Sequence, residues 1–204
     1  RRTHNIAQCL LNRAPIQVFV FGKIDETNAS KAISRMCFLD SKSEDPIVVL
    51  INSGGGQVVS GLAIYDVMKY GIRSPVYTIC TGRCSSMAAV LLAGGTKGCR
   101  GALPHSSVMI HDAHTTCGKK VVRDIKIKAQ ELNRKNEILV SLLSQDSGVE
   151  KDKIRDMMQR DCYMSAQEAK ELGLVDFIME NPILDITLKK KKGMSSSNKE
   201  QQQQ

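Results

Sequence analysis

Two adjacent serines, Ser85 and Ser86, lie in the stretch TGRCSSMAAVLLAGG (residues 81–95), between a strand-like run and an apolar run. A serine at the head of a buried helix is well placed for acyl transfer. The first N–H groups of a helix lack intrahelical partners and the dipole there favours negative charge, so the hydroxyl can attack while the next N–H meets the oxyanion. That is the logic of a nucleophile elbow, although GRCSSMA does not follow Gly-x-Ser-x-Gly. Serine is also a common helix cap, so spacing alone leaves both roles open. A second cluster, Asn52-Ser53-Gly54-Gly55-Gly56-Gln57, offers small-residue backbone at a strand end. It suits an oxyanion hole or contact with a substrate backbone; a tight strand-to-helix turn is the plainer reading. It lacks the Gly-Lys-Ser/Thr of a phosphate loop and does not match Gly-x-Gly-x-x-Gly, so nucleotide binding is not expected. Acyl transfer also needs a base. Of four histidines, His4 is near the chain start, His105 follows Pro104 in a turn and His114 lies in a loop. His111 closes a strand and is the candidate base.

These groups require a scaffold of alternating strands and helices. Residues 16–21 (IQVFVF), 46–51 (PIVVLI), 76–80 and 107–110 read as strands. Residues 28–39 and about 57–70 carry apolar positions at helical spacing, and MAAVLLA after Ser85 or Ser86 is apolar all round, hence a buried helix. Beyond Gly118 the charged stretch 119–143 reads as one extended helix lying partly outside the main body. A shorter helix follows at 151–158. Ser165 opens another, with Glu168 completing a capping box and Gly173 stopping it, before a strand at 174–178. Strand–helix–strand alternation implies right-handed crossovers, a mostly parallel sheet and an α/β fold. Working groups in such sheets gather at the C-terminal strand ends, where the glycines, the serines and His111 all fall.

Composition narrows the alternatives. With 204 residues the chain fits one main domain, residues 1–180, followed by a basic, low-complexity tail, 181–204, in which disorder is expected. The chain does not open on Met and reads as a processed form or a fragment. The net charge of +8 sits largely at the ends, and with aromatics at 4 % the stacking platform of a single-strand binder is missing, so no nucleic-acid partner is expected. Seven cysteines form no Cys-x-x-Cys pair, which argues against a zinc ribbon or a dithiol redox motif; no metal site is expected. Most behave as small hydrophobes, and a reducing, intracellular setting fits them. No apolar run approaches a membrane span, so no membrane partner is expected.

In order, INSGGGQVVSGLAIYD, TICTGRCSSMAAVLLAGGTKG, LPHSSVMIH and RDCYMSAQEAKELGLVD resemble the blocks of the ClpP peptidase family, the proteolytic subunits of ATP-dependent Clp proteases. The resemblance covers about residues 7–178. It implies a serine endopeptidase with Ser86 as nucleophile, His111 as base and Asp161 as the acid, and with the Gly55 and Met87 N–H groups as oxyanion donors. It implies a ββα superhelix shared with crotonases, in which the helix at about 119–143 protrudes and joins two rings. The assembly implied is a tetradecamer of homo- or hetero-heptameric rings, fed unfolded polypeptide by an AAA+ unfoldase of the Clp family. ATP would be used by that partner, and no cofactor is implied in this subunit. The implied location is organellar, plastid stroma or mitochondrial matrix, or else bacterial cytoplasm. The chain departs from the family pattern at Gly54 (family Pro), Cys84 and Ser85 (Ala-Ala), Ala88 (Gly) and Asp112-Ala113 (Gln-Pro). Residues 113–122 lack the family's glycine-rich substrate-binding segment. Such drift also resembles the inactive scaffold subunits of mixed Clp rings, and the fold is shared with acyl-CoA enzymes of the crotonase type.

Overall fold

The computed structural model describes residues 18–116, 118 and 121–179. The tail 181–204 and the first two residues of the first expected strand lie outside them. The elements are β1 (Val18–Ile24), α1 (Glu26–Asp40), β2 (Ile47–Gly56), α2 (Val58–Asp66) continuing into a π turn (Val67–Gly71), β3 (Val76–Ser85), α3 (Met87–Ala93), β4 (Arg100–Ala102), β5 (Ser107–Ile110), α4 (Val122–Ser147), α5 (Lys151–Met158), β6 (Cys162–Ser165), α6 (Ala166–Glu171) and β7 (Phe177–Ile178). The sheet runs β1-β2-β3-β4-β7, all parallel, with β5 parallel to β3 and β6 antiparallel to β5. Strand β3 forks the sheet. Its first half, Thr78 to Cys80, pairs β4; its second half, Arg83 to Ser85, pairs β5.

The expected α/β architecture is therefore present, and its elements have local causes. The Asp25 side chain caps α1 by accepting from Asn28 N–H at 2.9 Å, and Ala29, Ala32 and Met36 recur at helical spacing on its buried face. Every residue of α3 is buried, which follows from its uniformly apolar sequence. The capping box of α6 forms as read, with Ser165 Oγ accepting from Glu168 N–H and Glu168 Oε2 accepting from Ser165 N–H. Helix α4 is exposed along its first half and becomes buried from Leu139, at Val140, Leu143 and Asp146. It thus stands partly outside the body.

Several boundaries differ from the sequence reading. β2 does not stop at Ile51: the glycine cluster is strand, with Gly55 opposite Lys23 and Gly56 opposite Ile24. Its backbone pairing to β1 overrides the low strand preference of glycine. β3 likewise runs on to Ser85. Strands β4 and β6 were not anticipated. Each is too short for a periodicity signal, and β4 contains a charge, Arg100, that is 2 % exposed. That guanidinium is satisfied internally. Nε and Nη2 donate to Asp176 at 2.9 and 2.6 Å, and Nη1 donates to Ala93 O and Asp146 O. Asp146 in turn accepts from Tyr65 Oη and Lys69 Nζ, both at 2.8 Å. This network ties β4, the segment before β7, α2, α3 and the end of α4 together.

Candidate active site

The three strand ends named above converge, and the registers show how. In the parallel β3/β5 pair Ser85 stands opposite Met109. In the antiparallel β5/β6 pair Ile110 stands opposite Cys162. One step further along that ladder is His111 opposite Asp161. The continuation is realised by the side chains: His111 Nδ1 lies 2.9 Å from Asp161 Oδ1. A carboxylate only accepts, so Nδ1 carries the proton; in the neutral ring that leaves the lone pair on Nε2, the tautomer a general base needs. Asp161 also accepts from Tyr163 Oη at 3.4 Å. Its side chain is 54 % exposed, while that of His111 is 16 % exposed.

The two serines are distinguished by their backbones. Ser85 is a buried strand residue. Ser86 has φ 57° and ψ −125°, and it is the only non-glycine residue with positive φ among the described residues. Such a conformation costs about 1–3 kcal/mol and persists only where the surroundings hold it. Here Ser86 N–H donates to Met109 O at 2.8 Å and Ser86 O accepts from Ala89 N–H at 2.9 Å, clamping the turn between β5 and α3. The Ser86 hydroxyl makes no capping bond, so the helix-cap role does not account for it. The turn has the strained strand-to-helix geometry that a nucleophile elbow requires, without the Gly-x-Ser-x-Gly spelling.

The glycine strand closes one side. Gly55 has φ 94°, and a Cβ there would stand 2.7 Å from Ser85 O, 2.8 Å from Ser86 Cβ and 3.3 Å from Met87 N. Only glycine allows that approach. Met87 is the first residue of α3, so its N–H has no acceptor within the helix. The Gly55 N–H is engaged: it donates to Ser53 Oγ at 3.0 Å, and Ser53, fully buried, donates onward to Gly22 O. Where the family pattern has proline, Gly54 lies under the Arg83 guanidinium, whose Nη2 would be 3.0 Å from an added Cβ. Arg83 thus occupies the space a proline ring would need.

The structure brings His111 and Asp161 into contact and Gly55 and Met87 beside Ser86. Among the described residues no hydrogen bond joins Ser86 to His111. The His111 ring instead meets His114 edge-on, with centroids 5.3 Å apart. A cleft of about 580 Å³ opens beside them, bordered by His111, His114, Gln159 and Asp161. Among the described residues no hydrogen bond joins Asp112 to the imidazole, which Asp161 holds instead. Burial raises its carboxyl above the ordinary aspartate value, His111 opposes that and Glu137 adds to it. Its backbone is fixed by Asp112 N–H to Met158 O at 2.8 Å, and Ala113 N–H to Asn136 Oδ1 at 2.7 Å. Sequence reasoning missed Ser53, Arg83 and Tyr163. Ser53 and Arg83 were legible only as neighbours of the glycine and serine clusters, and Tyr163 carried no signal. Among the described residues no cluster of His, Cys, Asp and Glu is arranged to hold a metal ion, and no helix is long and apolar enough to cross a membrane.

The Clp protease family profile matches residues 1–182. The ATP-dependent Clp protease proteolytic subunit 3 of Parasynechococcus marenigrum (strain WH8102) is 44 % identical over 166 residues, covering 81 % of this chain and 82 % of that protein. Subunit 3 of Synechococcus sp. (strain CC9605) shows the same 44 % identity over the same shares of the two chains. Subunit 2 of Prochlorococcus marinus (strain NATL2A) is 42 % identical over 81 % of this chain and 82 % of its own. An α/β fold with a mostly parallel sheet, matched over this span, defines the class. The chain belongs to the Clp protease family, as a relative of its proteolytic subunits.

Proposed function

We propose that this subunit is a serine endopeptidase using Ser86, His111 and Asp161. His111 Nε2 takes the Ser86 proton as Oγ attacks a peptide carbonyl, and Asp161 holds the imidazole tautomer and stabilises the imidazolium that forms. The oxyanion is met by the Met87 N–H and by the Gly55 N–H once it is released from, or shared with, Ser53. The acyl-enzyme is then hydrolysed by water activated at His111. The observation that carries the reading is the register: the ladders place a strained, uncapped serine and a bonded His–Asp pair at the ends of three neighbouring strands. Formation of the Ser86–His111 hydrogen bond is assigned to assembly or substrate binding, since catalytic hydrogen bonds often tighten only in the working complex.

Substrates in this reading are unfolded polypeptides, cleaved inside a chamber of two stacked heptameric rings, homomeric or mixed. A Clp-family AAA+ unfoldase spends the ATP, and this subunit needs no cofactor. The compartment is the inside of an organelle or a bacterium, and the cyanobacterial relatives favour the plastid stroma among organelles. A second reading, a ring-building subunit without turnover, is favoured by the absence of a Ser86–His111 hydrogen bond among the described residues and by the engaged Gly55 N–H. Hydrolysis of a short fluorogenic peptide by the assembled protein separates them. The peptidase reading predicts turnover that Ser86→Ala abolishes; absence of turnover in both proteins supports the scaffold.

A further inference from the structure

Strand β3 carries Cys80 and Cys84, a spacing of four that no dithiol signature covers in sequence. The sheet changes that spacing. Ile51 of β2 stands opposite Cys80 and Ser53 stands opposite Cys84, so two steps of β2 span four of β3. The excess bulges outward at Thr81, Gly82 and Arg83, all facing the single residue Asn52. The bulge is built in. Asn52 Oδ1 accepts from Arg83 N–H at 3.3 Å and fills the place where a Gly82 Cβ would stand, while Thr81 Oγ1 donates to Ile51 O at 3.3 Å. Measured along β2, the two cysteines are two residues apart, roughly 6.6 Å at ~3.3 Å per residue. That lies at the wide end of the Cα separations a disulfide spans, about 4.4–6.8 Å.

The side chains agree with the backbone. Both cysteines are fully buried, and their thiols lie within hydrogen-bonding reach of each other. Each sulfur also approaches a carbonyl at long range: Cys80 Sγ is 3.8 Å from Ser107 O, and Cys84 Sγ is 3.8 Å from Ile51 O. The two are also chemically unequal. Hydrogen bonds from Cys84, the Gly82 backbone and Ser106 bring the Cys80 thiol down to about 7 against burial, whereas burial pushes Cys84 well up. Cys80 is thus the easier of the two to ionise.

We propose that Cys80 and Cys84 form a reversible dithiol–disulfide site, closed by a small hydroperoxide and opened by a dithiol reductant. The Cys80 thiolate attacks one peroxide oxygen: an S–O bond forms, the O–O bond breaks and the other oxygen departs with a proton. The Cys84 sulfur then attacks the resulting sulfenic acid: the S–S bond forms, the S–O bond breaks, and the departing hydroxide takes the Cys84 proton as water. The two thiols lose two electrons and the peroxide gains two. Thiol–disulfide exchange with the reductant reverses the change. Small oxidants suit a buried pair, and the bulge beside it is exposed at Gly82 and Arg83. Cys84 is two residues before Ser86, on the strand that holds the elbow, so closure shifts the turn. That effect on hydrolysis rests on the peptidase reading; formation of the bond does not.

The test uses the full chain, reduced, desalted, exposed to hydrogen peroxide, then denatured and alkylated. Arg83 lies between the two cysteines, so trypsin separates peptide 74–83 from peptide 84–97. The proposal predicts that oxidation joins these two peptides in one species that dithiothreitol splits, and that Cys84→Ala abolishes the species while keeping the melting temperature of the reduced protein. Recovery of both as separately alkylated peptides overturns it, as does either cysteine joined instead to any of the chain's other five cysteines. Hydrolysis is read in parallel. A fall of about 100-fold on closure, the cost of a ~1 Å misplacement, supports the coupling to Ser86. Unchanged hydrolysis with the bond formed overturns the coupling alone. A reduced protein without turnover counts against the peptidase reading and leaves the mapped bond intact as a result.

Discussion

Replacing Asp161 with asparagine removes a charge while keeping shape, and the geometry sets the size of the effect. The carboxylate oxygen is 2.9 Å from His111 Nδ1, which puts the charge centres of a catalytic ion pair about 4 Å apart. With an effective dielectric near 20, suited to a site open to water, the attraction lost is about 4 kcal/mol, or roughly three decades of rate. The amide adds a second fault. If its NH₂ faces Nδ1, the ring proton moves to Nε2 and the base is lost. Stability should scarcely move, because Asp161 is 54 % exposed and an exposed pair contributes about 0–1 kcal/mol. Asp161→Asn is therefore expected to lower kcat/KM for a fluorogenic peptide about 1,000-fold and to leave the urea midpoint nearly unchanged. Activity within tenfold of the parent, with unchanged stability, would refute the reasoning. A collapse of stability would refute it differently, by showing the pair to be structural.

Gly55→Ala places a Cβ 2.7 Å from Ser85 O at φ 94°; it should cost more than about 1–2 kcal/mol in urea unfolding and abolish peptide hydrolysis. Arg100→Met strips the buried partner from Asp176 and should cost about 3–5 kcal/mol, read in the same way. Burial raises the Asp176 carboxyl, but its hydrogen bonds to Arg100 outweigh that and hold it below the ordinary 3.8. A lowered folded value stabilises above the ordinary value and is lost as pH falls through the folded one. The stability gap between parent and Arg100→Met should thus narrow below pH 3.8, as urea midpoints measured across pH will show.

Much of the scaffold was legible: α1 follows from its apolar spacing, α3 from a uniformly apolar run, the body of α4 from a long charged stretch, and α6 from its capping box. The site was only partly legible. Ser86 and His111 could be placed at strand ends, but Asp161 was reached through family resemblance alone, because β6 is four residues long and shows no pattern of its own. The glycine cluster read as a turn because glycine is a poor strand former, and pairing with β1 makes it strand. Spacing alone left Ser85 and Ser86 open and the resemblance pointed to Ser86; the φ angle, which residue type does not announce, sets their backbones apart. The Cys80–Cys84 approach was hidden for a related reason: a bulge shortens a strand in space without shortening it in sequence.

Fluorophosphonate labelling with mapping of the modified peptide tests the central claim most directly. Peptide 84–97 should carry the label on Ser86, and Ser86→Ala should abolish labelling while Ser85→Ala leaves it in place. A label found on Ser85, or one that survives Ser86→Ala, would contradict the account.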